Sequence, residues 1–210
     1  MIKNIIFDFG NVLLGWNEDQ IIANYTNVVQ EQQILKSVIF KSDEWSKLDN
    51  GSLTYENAKT LFKDNVPNNL KEKVENIMDT WYEKMPINEE ICDLIKKLKR
   101  NGYKIYALSN THIPVYEYVK NLEIAKLFDG FLISAIEKMT KPNKCIYYRL
   151  YEKFNLNPKE CFFIDDTKEN IIASQKTGMQ GHIFDFNDIQ KLKQDLIINN
   201  VRIDIEVNPI

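Results

Sequence analysis

Phe7-Asp8-Phe9-Gly10-Asn11-Val12 follows directly on the apolar run Ile2–Phe7 and precedes a long polar stretch. An acidic residue at the carboxyl end of an N-terminal strand stands at the rim of an open α/β sheet, where such sheets bind their ligands. A second apolar run, Cys161-Phe162-Phe163-Ile164, ends the same way, in Asp165-Asp166. If the two runs are neighbouring strands of one parallel sheet, three carboxylates meet at one point. Three carboxylates remain ionised together only at high electrostatic cost unless a cation joins them. The two acid-tipped runs therefore predict an α/β chain with a doubly wound parallel sheet, and a metal-dependent enzyme built on the sheet's rim.

Working outward, the chain from Met85 onward alternates helix-like and strand-like segments, the pattern of a parallel sheet. Asn88 to Arg100 places Ile91, Leu94, Ile95 and Leu98 on one helical face, with Asn88 to cap its start and Asn101-Gly102 to stop it. Tyr103–Leu108 reads as the next strand and ends in Ser109-Asn110-Thr111-His112. A helix near Pro114–Leu122, a strand at Gly130–Ser134 and a helix at Asn143–Phe154 follow. Beyond the acid-tipped strand come a helix over Lys168–Lys176, a short strand at Gly181–Phe184 and a closing helix at Asp188–Leu196. The alternating tail Val201–Val207 suggests an edge strand.

Residues 15–84 break this rhythm. They contain helix-like stretches at Asp19–Val29, Glu31–Phe40, Thr54–Lys63 and Leu70–Glu83, a turn at Leu48–Ser52 and no convincing strand. The expected organisation is a core of residues 1–14 and 85–210, Rossmann-like, with a small all-helical cap of residues 15–84 inserted after the first strand.

Composition narrows the class. A chain of 210 residues with 44% hydrophobic and 27% charged residues suits one globular α/β domain plus an insert. A net charge of -3, with basic residues scattered singly apart from Lys96–Arg100, gives no footprint for nucleic acid or an anionic membrane. Cys92, Cys145 and Cys161 are odd in number and far apart, which points to free thiols in a reducing compartment. With no signal-like leader and no apolar stretch of membrane-spanning length, a cytoplasmic location is expected.

Four separated motifs now stand in order: Asp8-Phe9-Gly10-Asn11-Val12, Leu108-Ser109-Asn110, Lys141-Pro142 and Asp165-Asp166-Thr167-Lys168-Glu169-Asn170. Each alone has an ordinary reading as a cap or turn. Together they resemble the haloacid dehalogenase-like hydrolase superfamily over essentially the whole chain, and within it the branch of glucose-1-phosphate phosphatases and the phosphatase domain of soluble epoxide hydrolases. The resemblance implies a phosphatase of small phosphorylated metabolites, with a sugar phosphate as one such substrate. Asp8 would be the nucleophile and form an aspartyl-phosphate. Mg²⁺ would be held by Asp8, the backbone carbonyl of Gly10 and Asp166, with Asp165 behind them and Asn170 orienting the loop. Ser109 and the Asn110 backbone N–H would grip phosphate oxygens, and Lys141 would neutralise both Asp8 and the phosphate.

The chain departs from the family's D-x-D-x-[TV] pattern at Gly10, where most of its phosphatases carry their general acid. Loss of a general acid costs on the order of 10²–10⁴ in rate. Phosphoryl transfer rests chiefly on positioning and electrostatics, so two outcomes are expected. Either the substrates carry leaving groups that need little protonation, such as anomeric, aryl or acyl oxygens, or a residue of the helical insert or a water supplies the proton. Glu18 and Asp19 are the nearest candidates in the insert. Two alternatives remain: a phosphate-binding regulatory protein without turnover, and a metal-independent haloacid dehalogenase, against which Asp165-Asp166 argues. Among other residues, Trp16 and Asn17 read equally as substrate contacts or hinge packing, Trp45 and Trp81 as core of the insert, His112 as a surface or loop residue, and His182 as structural.

Overall fold

The strand Asn4-Ile5-Ile6-Phe7, β1 (Asn4–Phe7), is buried along its whole length, as a central parallel strand covered on both faces must be. The computed structural model describes residues 1–203. Within it β1 lies between β2 (Lys104–Ser109) and β4 (Cys161–Asp165), with β3 (Gly130–Ile133) and β5 (Gln180–Ile183) at the edges. The order is β3-β2-β1-β4-β5 and every pairing is parallel. The chain leaves β1 for β2 and β3 on one side, then crosses back to β4 and β5 on the other. β1 is therefore the switch point, the place where a crevice opens beyond the carboxyl ends of the strands.

Side chains alternate along each strand, so the sheet has two cores. Ile5, Phe7, Ile105, Phe162 and Ile164 pack with Ile91, Leu94, Ile95 and Leu98 of α6 (Glu89–Arg100) and with Leu192 and Leu196 of α11 (Ile189–Ile198). Ile6, Leu108 and Phe163 pack instead with Ile146, Tyr147 and Leu150 of α9 (Lys144–Phe154) and Ile171 of α10 (Lys168–Gln175). Each fully buried aliphatic or aromatic side chain contributes roughly 1.5–3 kcal/mol. α6 shows how local signals agree with packing. Asn88 accepts from the Ile91 N–H at 3.2 Å at its start, Glu89 and Glu90 occupy the first turn, and Lys97, Lys99 and Arg100 face the carbonyl end.

Between β1 and α6, the described residues form α1 (Glu18–Ala23), α2 (Val29–Val38), α3 (Asp43–Asp49), α4 (Tyr55–Asp64) and α5 (Lys71–Thr80), and no strand. Two expectations are corrected here. The stretch read as a turn at Leu48–Ser52 begins inside α3, a helix capped by Ser42, whose hydroxyl accepts from the Trp45 N–H. The helix expected to run to Val29 stops at Ala23, where the Asn24 side chain turns back onto the Gln20 carbonyl at 2.7 Å. Gly51, with φ of 70°, follows α3, and a Cβ there would stand 2.2 Å from the Ala135 carbonyl oxygen. Only glycine lets the α3 end approach the Ala135 backbone this closely.

β2 is followed by α7 (Ile113–Lys120), whose Val115 and Val119 join the same core as α6, and α8 (Ser134–Glu137) extends from β3. Val201 and Ile203 are buried and Val201–Ile203 carry no strand; the remainder of the expected edge strand lies outside the described residues. Among the described residues no helix is long and apolar enough to cross a membrane.

Candidate active site

Strand register places the acidic groups. Phe7 pairs with Ile164 on one side and with Ala107 on the other, and the Asp8 N–H donates to the Ile164 carbonyl at 3.0 Å. Asp8 thus emerges beside Asp165, and Ser109 ends the strand on its far side. The chain then folds back at once. Asn11 adopts a left-handed φ of 50°, and the Leu13 and Leu14 N–H groups return to the Phe9 carbonyl at 2.9 and 2.8 Å. That tight loop keeps the Gly10 backbone at the mouth of the crevice.

Carboxylate oxygens of Asp8, Asp165 and Asp166 lie within 4.8 Å of one another. Lys141 is the cation that meets them, with Nζ 2.9 Å from Asp8 Oδ2 and 2.6 Å from Asp165 Oδ2, and it also donates to the Leu108 carbonyl at 3.1 Å. Lys141 is 4% exposed and Asp165 fully buried, so these are desolvated charges in strong interaction. The Asn110 side chain seats the lysine, accepting from the Lys141 N–H at 2.8 Å and donating to its carbonyl at 2.9 Å. Asp165 is saturated. It accepts from Lys141, from the Thr167 N–H at 2.8 Å and from the Asn170 amide at 2.9 and 3.1 Å. Tyr147 donates to the Asn170 carbonyl at 2.9 Å and so holds that side chain in place.

Asp166 has neutral partners: the Asn11 amide at 3.0 Å and the Thr167 hydroxyl at 3.1 Å. Asn11, given no role by the sequence reading, is the bridge between the first and fourth motifs; its side-chain Oδ1 also accepts from the Trp16 N–H at 2.9 Å. The signal was present as an asparagine in a sharp post-strand turn, a residue that tolerates left-handed backbone.

One lysine against three carboxylates leaves excess negative charge, and burial has a measurable consequence. It pushes the Asp8 carboxyl up from 3.8 to about 7, against the pull of Lys141. Burial alone would lower the Lys141 ammonium; Asp8 and Asp165 outweigh it and hold its pKa above the ordinary value. An arrangement of hard oxygen donors with uncompensated charge fits a small divalent cation such as Mg²⁺. Asp165 is saturated, whereas Asp8 meets Lys141 with one oxygen and the Phe9 N–H with the other, and Asp166 meets the neutral Asn11 and Thr167 donors.

Beyond the carboxylates opens a cavity of ≈ 330 Å³, walled on the sheet side by Gly10, Ser109, Asn110, Thr111 and His112. The helical segment contributes Trp16, Phe40, Trp45 and Trp81, whose rings meet edge to face or tilted at 4.8–5.9 Å. Trp45 and Trp81 are therefore both packing and cavity wall. Trp16 is a wall residue, whereas Asn17 is spent as the cap of α1. His112 is not on the surface. It is 3% exposed, stacked on Tyr55 at 5.2 Å and flanked by Trp45 and Trp81, with Nδ1 3.2 Å from Asp49 Oδ1. Of the two acids proposed from sequence as proton sources, Glu18 lines the cavity but is paired with Lys41 at 2.8 Å. Asp19 does not reach the cavity; its side chain is 78% exposed and bound to Lys36. His182, also buried, pairs with Asp195 at 2.6 Å beside β5.

Comparison with known proteins agrees with this geometry. The haloacid dehalogenase-like hydrolase family matches residues 2–178. The chain is 28% identical over 187 residues to a sesquiterpene phosphatase of Aspergillus oryzae, covering 87% of this chain and 90% of that protein. It is 25% identical over 182 residues to the enolase-phosphatase E1 of a Hydrogenobaculum species, covering 80% of each. A HAD family enzyme of Bacteroides thetaiotaomicron, solved with magnesium and inorganic phosphate, superimposes with a TM-score of 0.70 at 25% identity, over 90% of this chain and 96% of that one. With the sheet order, the motifs at the strand ends and this match over most of its length, the chain belongs to the haloacid dehalogenase-like hydrolases.

Proposed function

We propose that this hydrolase is a Mg²⁺-dependent phosphatase of small phosphorylated metabolites, working through an aspartyl-phosphate on Asp8. The observation that carries the reading is the convergence of Asp8, Asp165 and Asp166 within 4.8 Å around a single buried lysine. Asp8, Asp166 and the Gly10 carbonyl would hold the metal, which supplies charge neutralisation for a phosphate brought against a carboxylate. Asp165 and Asn170 keep Lys141 and the fourth-motif loop in register. Lys141 meets the phosphate as a buried point charge, while Ser109 and the Asn110 N–H take its oxygens at the end of β2. Asp8, drawn towards its ionised form by Lys141, attacks phosphorus as the ester P–O bond breaks; water then attacks phosphorus, the Asp8–phosphorus bond breaks and inorganic phosphate leaves.

Residues 15–84 act in this reading as a cap over a core of residues 1–14 and 85–210, excluding water and receiving the organic group. The cavity walls of Trp16, Phe40, Trp45 and Trp81 suit an apolar or ring-bearing organic group, and the sesquiterpene phosphatase relative points the same way. A sugar phosphate is the second reading, favoured by Glu18 and Asp49, acidic groups on the wall that can accept from hydroxyls. At Gly10 a Cβ would meet nothing within 4 Å. The position taken by an acid in most relatives is thus open space, and the leaving oxygen either departs without a proton or receives one from elsewhere.

The test is phosphate release from a panel of isoprenoid, aryl, sugar and acyl phosphates. Turnover that requires Mg²⁺ and stops with EDTA is expected. Phosphate release that persists in EDTA removes the metal-centred reading, and tight phosphate binding without release on any substrate supports a regulatory protein instead.

A further inference from the structure

The missing acid at Gly10 has a counterpart in the same cavity. His112 follows β2 by three residues and lines the same cavity as Gly10, Ser109 and Asn110. Its Nδ1 is engaged by Asp49, at the end of α3, at 3.2 Å. Its Nε2 is buried with no hydrogen-bond partner among the described residues. A buried ring nitrogen without a partner is costly; His182 Nε2 shares that state, and it is the place of His112 in the cavity wall that points to a ligand. Asp49 is itself held firmly, because the Ser134 hydroxyl donates to its backbone carbonyl. A carboxylate on Nδ1 settles the tautomer: Nδ1 keeps its hydrogen, and Nε2 is an acceptor when the ring is neutral and a donor when it is charged.

The titratable groups around the imidazole are Asp49 on α3, Tyr55 on α4 and, across the cavity, Glu18 of α1 with its partner Lys41. Of these Asp49 alone bonds the ring. Glu18 is tied up by Lys41, and Gly10 has no side chain. His112 is the wall residue whose ring is held by a carboxylate at one nitrogen and left unpartnered at the other.

We infer that His112, oriented by Asp49, is the catalytic acid and base of this hydrolase, in the place left open at Gly10; the inference rests on Asp8 as the attacking group. An Asp8 oxygen bonds to phosphorus as the ester P–O bond breaks. The electron pair of that bond goes to the ester oxygen, which takes the proton from Nε2. Neutral Nε2 then accepts a proton from water as the water oxygen attacks phosphorus and the Asp8–phosphorus bond breaks. The products are the alcohol, inorganic phosphate, the Asp8 carboxylate and the imidazolium again, so the cycle closes. Asp49 is the positioning residue: it acts through His112 and touches no reacting atom.

The test compares two esters of similar size, 4-nitrophenyl phosphate, whose leaving group needs little protonation, and benzyl phosphate, whose alkoxide needs it. The burst of alcohol or phenol release is followed by rapid mixing of the full-length chain with Mg²⁺. His112→Gln is expected to slow the benzyl burst about 100-fold and the nitrophenyl burst less than about threefold. Asp49→Asn is expected to slow the benzyl burst about tenfold with the same selectivity. His112→Asn repeats the measurement if thermal unfolding shows that the glutamine disturbs the aromatic packing. Equal slowing of both bursts, or none, overturns the inference, since a residue that only shapes the cavity does not distinguish leaving groups. Asp8→Asn separates the two levels: it abolishes both bursts if the nucleophile is right, and a burst surviving in it removes the Asp8 reading instead.

Discussion

The rim of the sheet and the wall of the cavity above it are built on opposite principles. At the rim, Asp8, Lys141, Asp165, Asp166 and Asn170 form a dense polar cluster in which each buried group has a partner. In the wall, Trp16, Phe40, Trp45 and Trp81 interlock by ring contacts, and the polar atom that stands out is the unpartnered Nε2 of His112. The rim suits one chemical operation on a phosphate, while the wall suits selection of what the phosphate is attached to. A family can keep the first and vary the second, which is how one scaffold serves many substrates.

The comparison breaks most sharply at Asp8. Asp8→Asn is expected to reduce turnover by about 10⁴-fold or more while leaving thermal stability unchanged or higher, because a neutral isostere replaces a carboxylate that burial disfavours. A variant that unfolds instead would show that the charge is structural. Lys141→Met comes next. Leaving Asp8 and Asp165 buried without their cation is expected to cost about 3–5 kcal/mol in urea unfolding, together with activity. A stable Lys141→Met chain would contradict the buried pairing.

The pH dependence sharpens the electrostatic half. Folding raises the Asp8 carboxyl from 3.8 to about 7, so the metal-free native state binds the proton more tightly than the unfolded chain. Its stability is therefore expected to fall as pH rises from about 4 towards 7. In the proposed site magnesium requires the ionised Asp8, so its affinity should be full above about 7 and drop roughly tenfold per pH unit below it. Thermal unfolding in EDTA and in Mg²⁺ across this range checks both slopes; they should vanish in Asp8→Asn. The smallest effect belongs to the wall. Trp45→Ala is expected to raise KM for aryl or isoprenoid phosphates about tenfold and leave acetyl phosphate hydrolysis nearly unchanged. Loss of activity on both would place Trp45 in the service of the rim.

Legibility in the sequence follows the same division. Strand ends are marked by abrupt changes from apolar to polar residues, and in a parallel sheet those ends share one edge, so Asp8, Ser109 and Asp165 could be assigned to one rim before any coordinates. Asn11 was harder, because an asparagine in a turn has many uses and the hydrogen bond its amide donates to Asp166 spans 155 positions. α3 was missed because its apolar residues, Trp45 and Leu48, are few and a turn-like Asp49-Asn50-Gly51 follows at once. His112 was taken for a surface or loop residue because a histidine three places beyond a strand carries no periodic signal; its burial comes from Trp45, Tyr55 and Trp81, all distant in the chain.

The sequence by itself determined the α/β class, the parallel sheet and the family, since these depend on local apolar periodicity and on short motifs at strand ends. Tertiary structure alone decided which aromatic rings wall the cavity, that Asp19 is turned away from it, and that Asp49 meets His112. The physical reason is range. Hydrophobic patterning is written within a few consecutive residues, whereas a pairing across 63 positions is fixed only when the helices dock on the sheet and each buried polar atom must find its partner.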